Sequence, residues 1–254
     1  MCEACGCAVT QTDAEARERQ VLGHLLDANN RAADHNRDHF NSQRVAVFNL
    51  MSSPGAGKTA LLEATIDAIK PNLRLAVIEG DLETDSDARR IRARGVPAVQ
   101  ISTGSACHLD ARMIHAALHE LPLSRLDVVF IENVGNLVCP ASFDLGQHRN
   151  VVLLSVTEGD DKPAKYPVMF RAADIVLLTK TDLAPVMEDF DPMRAEQAIR
   201  NLASGAPVIP LSARKAINLA SWLAWLRTEV ASIRQEAAHE PQEAHHGRHL
   251  RAMA

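Results

Sequence analysis

The stretch Ser52-Ser-Pro-Gly-Ala-Gly-Lys-Thr59 stands between two contrasting patterns. Before it runs Arg44-Val-Ala-Val-Phe-Asn-Leu-Met51, which reads as a buried strand. After it, Lys58–Lys70 reads as a helix with Leu62, Ile66 and Ile69 on one face. Strand, glycine-rich loop and helix in this order form an anion cradle. Gly55 and Gly57 allow the backbone N–H groups to turn inward, and the helix directs its positive end at the bound group. Lys58 reaches the β- and γ-phosphates of a nucleotide and the Thr59 hydroxyl suits Mg²⁺, so Gly55, Ala56, Gly57, Lys58, Thr59 and Ala60 form the expected phosphate site. The pattern G-x-x-x-x-G-K-[ST] asks for Gly at position 52, where this chain has Ser.

The rest of the chain suits that start. Short aliphatic runs recur at Arg74–Ile78, Ala98–Ser102, Asp127–Ile131, Val151–Val156, Ile175–Thr179 and Val208–Leu211. Helical stretches, notably Ala106–Leu121 and Arg194–Leu202, separate most of them, and a last helix covers about Leu219–Glu236. Alternating strands and helices predict an α/β fold: a mostly parallel sheet with helices on both faces. With 46% hydrophobic but only 4% aromatic residues, the core must be aliphatic, as buried parallel strands require. The expected organisation is a flexible Cys-rich tip over 1–17, a nucleotide domain with an N-terminal helix over 18–238, and a polar disordered tail over 239–254. A net charge of −5 without a basic block argues against nucleic acid as a main partner. No apolar run approaches the roughly 18 residues of a membrane span, and the N-terminus lacks a secretory pattern, so a cytoplasmic protein is expected.

Two acids stand where a metal-assisted phosphate site needs them. Asp81 follows the aliphatic run Leu75–Gly80, and Glu132 follows Val128–Ile131, with Gly135 three residues on. A carboxylate followed by a glycine N–H is the arrangement of a γ-phosphate switch. Lys58, Asp81 and Glu132 are therefore the catalytic candidates, with Thr59 and Asp81 for Mg²⁺. Further on, Thr179-Lys-Thr-Asp182 resembles the N-K-x-D pattern that reads guanine. There Asp182 would accept from the N1–H and 2-amino group, and the Lys180 stem would lie along the base. Thr179 replaces the usual Asn. Ser212 and Ala213 fit a second base-contacting loop, and GTP is the expected nucleotide.

The five cysteines are too organised to be scattered core residues. In a reducing compartment they should be thiols or metal ligands. Cys2, Cys5 and Cys7, with the α-amino group, offer an N/S set suited to Zn²⁺ or Ni²⁺. Cys107, His108 and Cys139 could form an incomplete site, finished by water or a second subunit, although Cys139 alone would read as a small core residue. His115 and His119 share a helical pattern with His108 and read as surface residues. The sparse His239, His245, His246 and His249 read as a solvated tail.

Taken together, Cys-x-x-Cys-Gly-Cys, Ser-Ser-Pro-Gly-Ala-Gly-Lys-Thr, Glu-Gly-Asp-x-x-Thr, Cys-His-Leu-Asp-Ala, Glu-Asn-Val-Gly-Asn-Leu-Val-Cys-Pro and Asp-Lys-Pro-x-Lys-Tyr-Pro resemble the HypB family of hydrogenase nickel-incorporation GTPases, relatives of UreG. The resemblance spans nearly the whole chain. It implies GTP hydrolysis coupled to nickel delivery into [NiFe]-hydrogenase precursors. It implies a nickel site on Cys2, Cys5 and Cys7, and a Zn²⁺ or Ni²⁺ site on Cys107, His108 and Cys139 at the interface of a GTP-promoted homodimer. A HypA-type nickel chaperone and the hydrogenase large-subunit precursor follow as partners. Unlike some members, this chain has no histidine-rich run near its N-terminus. The alternative is a nickel carrier or storage protein with a regulatory, barely hydrolytic nucleotide site. A kinase-like reading lacks an Arg-rich lid, and the Cys-rich tip argues against urease maturation. On the favoured reading Cys139, seven residues past Glu132, couples metal to nucleotide.

Overall fold

A computed structural model describes residues 13–81, 85–104, 106–202 and 205–239. Among them, seven strands form one sheet: β1 (Ala46–Met51), β2 (Leu75–Asp81), β3 (Ala98–Ser102), β4 (Val128–Glu132), β5 (Arg149–Ser155), β6 (Ile175–Thr179) and β7 (Val208–Pro210). Their order is β3-β2-β4-β1-β5-β6-β7, and every neighbouring pair is parallel. The helices are α1 (Asp13–Ser42), α2 (Lys58–Ile69), α3 (Ser86–Arg92), α4 (Ala111–Leu118), α5 (Lys162–Lys165), α6 (Pro167–Arg171), α7 (Pro192–Arg200) and α8 (Leu219–His239). None is long and apolar enough to cross a membrane.

β1 shows why the sheet is buried on both sides. Ala46, Phe48 and Leu50 face one helix layer, packing with Leu62 and Ile66 of α2 and with Trp222, Leu226 and Val230 of α8. Val47 faces the other layer beside Phe40 of α1 and Ile114 of α4, while Met51 joins Phe170 of α6 and Ile199 of α7. Successive strand residues point to opposite faces, so an unbroken aliphatic run feeds two cores at once. The chain builds outward from β1 in both directions, which opens a crevice at the carboxyl ends of the central strands.

Several boundaries differ from expectation. α1 begins at Asp13, within the segment read as a tip, and Cys2, Cys5 and Cys7 lie outside the described residues. α4 starts only at Ala111, because the Asp110 side chain caps it by accepting from the Met113 N–H. Cys107 and His108 therefore sit in the preceding turn rather than on the helix. α3 was not anticipated; its seven residues carry little more than Ala88 and Ile91 inward. Of the expected tail, His239 closes α8 and the remainder lies outside the described residues.

The polar α1 docks through amides as well as through Ala33 and Phe40. Asn29 accepts from the Ala111 N–H and donates to the Asp144 carbonyl (2.9 and 2.8 Å). Asn36, fully buried, donates to the carbonyls of Ala111 (2.7 Å) and Leu145 (3.1 Å). The Asn29 bond satisfies the Ala111 N–H, one of the donors a helix start leaves unpaired, and the bonds to Asp144 and Leu145 satisfy carbonyls of the 144–147 turn.

His148 extends the β1–β5 pairing by side chain. Its Nδ1 accepts from the Val47 N–H (3.0 Å), and its Nε2 faces Asn41 Oδ1 at 2.8 Å. The accepting Nδ1 makes the ring neutral. Burial, then the nearby Arg37 and Arg149 charges, push its pKa down to about 4. A depressed histidine pKa means stability that is full above the unfolded value of about 6.5 and lost as pH falls toward 4. Melts across that window should show a loss of up to about 3 kcal/mol attributable to this ring. His148→Asn keeps an acceptor for Val47 and should flatten the slope while lowering stability at neutral pH. An unchanged slope would remove His148 from the account.

Candidate functional site

The loop after β1 adopts the conformation its glycines permit. Gly55 and Gly57 take φ of 74° and 103°, in the left-handed region, and Gly57 is the N-cap of α2. The backbone N–H groups at the start of α2 face a cleft of about 670 Å³. Ser52 does not need the freedom of glycine. It is buried, and its hydroxyl donates to the Ser53 carbonyl (2.7 Å) and accepts from Lys58 Nζ (3.2 Å), fixing the lysine across the loop.

One cleft gathers the residues read from separate motifs. Gly55, Ala56, Gly57, Lys58, Thr59 and Ala60 line it together with Asp81, Glu132, Gly135, Lys180, Asp182, Ser212 and Ala213. The carboxyl ends of β1, β2, β4, β6 and β7 bring them there. Thr179 takes a structural part: its hydroxyl donates to the Ala56 carbonyl at 2.7 Å, tying β6 to the phosphate loop. Lys180 follows with a φ of 57°, a strained conformation for a residue with a side chain, which turns the chain into the Thr181–Val186 turn that carries Asp182.

Two acids join the cleft that motif reading did not single out. Glu79 lies on β2 opposite Glu132 of β4, and the ligand oxygens of Glu79, Asp87 and Glu132 lie within 4.8 Å of one another. Thr59 donates its hydroxyl to Glu132 (2.9 Å), but Oε2 of Glu79 and Oε2 of Glu132 are buried without a partner. Desolvation raises the pKa of both glutamates, and the Glu132 charge raises Glu79 further. Lys58 opposes the shift in each. The two therefore titrate as a pair rather than as separate acids. Orphaned oxygens beside a threonine hydroxyl are a hard donor set that fits Mg²⁺. The sign in the sequence was an acid inside an aliphatic strand, Leu75-Ala-Val-Ile-Glu79.

Cys107 and Cys139 are free cysteines whose sulfurs lie 3.0 Å apart, with His108 Nδ1 3.7 Å from Cys107 Sγ. The three could hold a metal ion. The His108 ring stacks on Phe143 at 3.9 Å, and burial lowers its pKa, so it presents a neutral imidazole. Hydrogen bonding with the Cys107 thiol raises the pKa of Cys139. Two thiols and one imidazole make a soft, three-ligand set open to a fourth donor.

The two sites are joined by the β4–Cys139 segment. Asn136 donates its backbone N–H to the Ser52 carbonyl (2.8 Å). Its side chain accepts from the Val138 N–H (2.8 Å) and donates to the Cys107 carbonyl (3.3 Å). Asn133 accepts from the N–H of Leu109 (3.2 Å) and donates to Asn49 of β1 (3.2 Å). Between them, Gly135 lies against the phosphate loop so closely that a Cβ there would stand 2.7 Å from Pro54 Cα and 2.8 Å from Pro54 N. Gly135→Ala must displace backbone on one side or the other. It should weaken nucleotide binding by at least about tenfold, roughly 1.4 kcal/mol, in a calorimetric titration. Parental affinity in a folded variant would show that the approach is slack.

The sequence model of the family described as "CobW/HypB/UreG, nucleotide-binding domain" matches residues 46–210. The chain is 49% identical to the hydrogenase maturation factor HypB of Azotobacter vinelandii over 231 residues, covering 88% of this chain and 76% of the relative. It is 49% identical to that of Escherichia coli K12 over 215 residues, covering 85% and 74%. Among solved structures, HypB from Helicobacter pylori in complex with nickel superposes with a TM-score of 0.77 at 41% identity, over 81% of this chain and 96% of that one. HypB from Archaeoglobus fulgidus gives 0.76 at 36%, over 81% and 100%. With the family model spanning well over half of its length and such relatives along most of it, the chain belongs to the HypB family of hydrogenase maturation factors.

Proposed function

We propose that this protein hydrolyses GTP to GDP and phosphate and uses that step to time the holding and release of nickel during [NiFe]-hydrogenase maturation. The observation that carries the reading is Asn136, one residue bonded to both the phosphate loop and the Cys107 and Val138 backbone. In the proposed reaction a water attacks the γ-phosphorus, its bond to the β–γ bridging oxygen breaks, and GDP leaves with the electron pair. Lys58 and the loop N–H groups would stabilise charge on the β- and γ-oxygens. Thr59 and Asp81 would hold Mg²⁺, with Glu132 and the adjoining Glu79 behind them; bound there, the ion neutralises phosphate charge. Asp182 and Lys180 would read guanine, with Ser212 and Ala213 closing the base pocket.

Nickel is the cargo on this reading. Cys107, His108 and Cys139 would bind Ni²⁺ or Zn²⁺, the fourth position being completed in a GTP-promoted homodimer. Exposed Val138 beside Cys139 supplies apolar surface for that contact. Cys2, Cys5 and Cys7 would form the separate nickel site, and a HypA-type chaperone and the hydrogenase large-subunit precursor would be the partners. When the γ-phosphate leaves, the 132–139 segment relaxes and the metal geometry with it.

Metal affinity should therefore differ between protein loaded with GDP and with a non-hydrolysable GTP analogue. Asn136→Ala should shrink that difference several-fold while leaving the P-loop folded. Equal affinities in the two loaded states of the parent would defeat the coupling. Lys58→Ala should abolish turnover and hydrogenase maturation yet retain metal binding. Maturation surviving in that variant would favour a carrier whose nucleotide site is merely regulatory.

A further inference from the structure

A cluster of imidazoles lies away from both the nucleotide cleft and the thiols, between α1 and α4. His35 and His39 are four residues apart on α1 and so share a face. Their Nε2 atoms are 3.2 Å apart. Two nitrogens bound to one ion at about 2.0–2.1 Å stand roughly 2.9–3.4 Å from each other, so this pair already has the spacing of co-ligands. His115 reaches the same place from α4, with its ring centroid 5.1 Å from His35 and 5.6 Å from His39. One ligand nitrogen from each of the three lies within 4.8 Å of the others.

The third ring is oriented from behind. His115 Nδ1 is 3.1 Å from Asn36 Oδ1, and the Asn36 amide is committed by its Nδ2 bonds to two carbonyls. The oxygen can only accept, so Nδ1 carries the proton and Nε2 keeps its lone pair. A buried carbonyl-type acceptor that sets the tautomer is the outer support usual for a ligating histidine. Burial and the neighbouring rings hold His39 and His115 below the ordinary histidine pKa, leaving them neutral donors at pH 7. His119 adjoins His115 at 5.0 Å between centroids, within reach of a further position that water can also fill.

We propose that His35, His39 and His115 form a separate metal site that holds one divalent ion of the nickel–copper–zinc series and clamps α1 to α4. Three imidazoles without a thiolate suit these ions and exclude Mg²⁺ and Ca²⁺, which need oxygen. The site depends neither on bound nucleotide nor on Cys107 and Cys139.

The test is equilibrium dialysis of the full chain with Ni²⁺, and separately Zn²⁺, alongside His35→Gln, His39→Gln and His115→Gln. His35 is exposed, so its replacement leaves the fold intact and guards against a trivial loss through unfolding. Each variant should lose one bound equivalent, or weaken it at least about tenfold. Thiolate-to-nickel charge-transfer absorption should stay at the parental level, because no sulfur is involved. Metal should also raise the melting temperature of the parent more than that of His35→Gln. Full parental stoichiometry at parental affinity in all three variants would overturn the proposal, as would loss of the thiolate band together with the equivalent.

Discussion

The backbone N–H of Asn136 bonded to the Ser52 carbonyl is the contact on which the rest of the functional architecture turns. It fixes the segment after β4 against the phosphate loop, and the same residue's amide then grips the backbone beside each cysteine. Gly135 is required next to it because any Cβ would strike the Pro54 backbone. The connection between the phosphate loop and the thiols is a few hydrogen bonds long and passes through a single side chain, that of Asn136. Packed interiors move between discrete arrangements rather than bending continuously, which suits the timing role proposed for this segment.

The acids below the phosphate loop set the other constraint. Glu79 and Glu132 occupy facing positions on adjacent parallel strands, where two carboxylates cannot both stay ionised without a cation. Their outer oxygens lack partners, a costly arrangement in a folded core. Ser52 and Thr179, the two departures from the usual motifs, work within the same economy of hydrogen bonds. Ser52 engages Lys58, and Thr179 closes β6 onto Ala56.

On the opposite layer, α1 is fastened by amides where apolar residues are sparse. Asn29 and Asn36 bind the buried start of α4 and the 144–147 turn, and Asn36 also orients His115. A helix that reads as polar thereby gains a buried, specific seat, and the histidines along its face converge with those of α4.

The sequence alone determined the phosphate loop, the parallel α/β sheet and the residues of the nucleotide cleft. These rest on local rules: glycine spacing, aliphatic runs and residues at strand ends, each legible over a few positions. It also placed Cys107, His108 and Cys139 together, through motifs that resemble a family. The remainder depends on contacts between distant segments. Glu79 looked like one acid among many until β2 paired with β4 and buried it against Glu132. Asn133 and Asn136 lay in a motif without a stated task until packing set them against β1 and Ser52. His115 read as a surface residue on a helix running through His108; the Asp110 cap removed His108 from that helix, and the docking of α1 gave His115 new neighbours. Side-chain convergence across a fold has no periodicity to read, because it is set by how the layers pack.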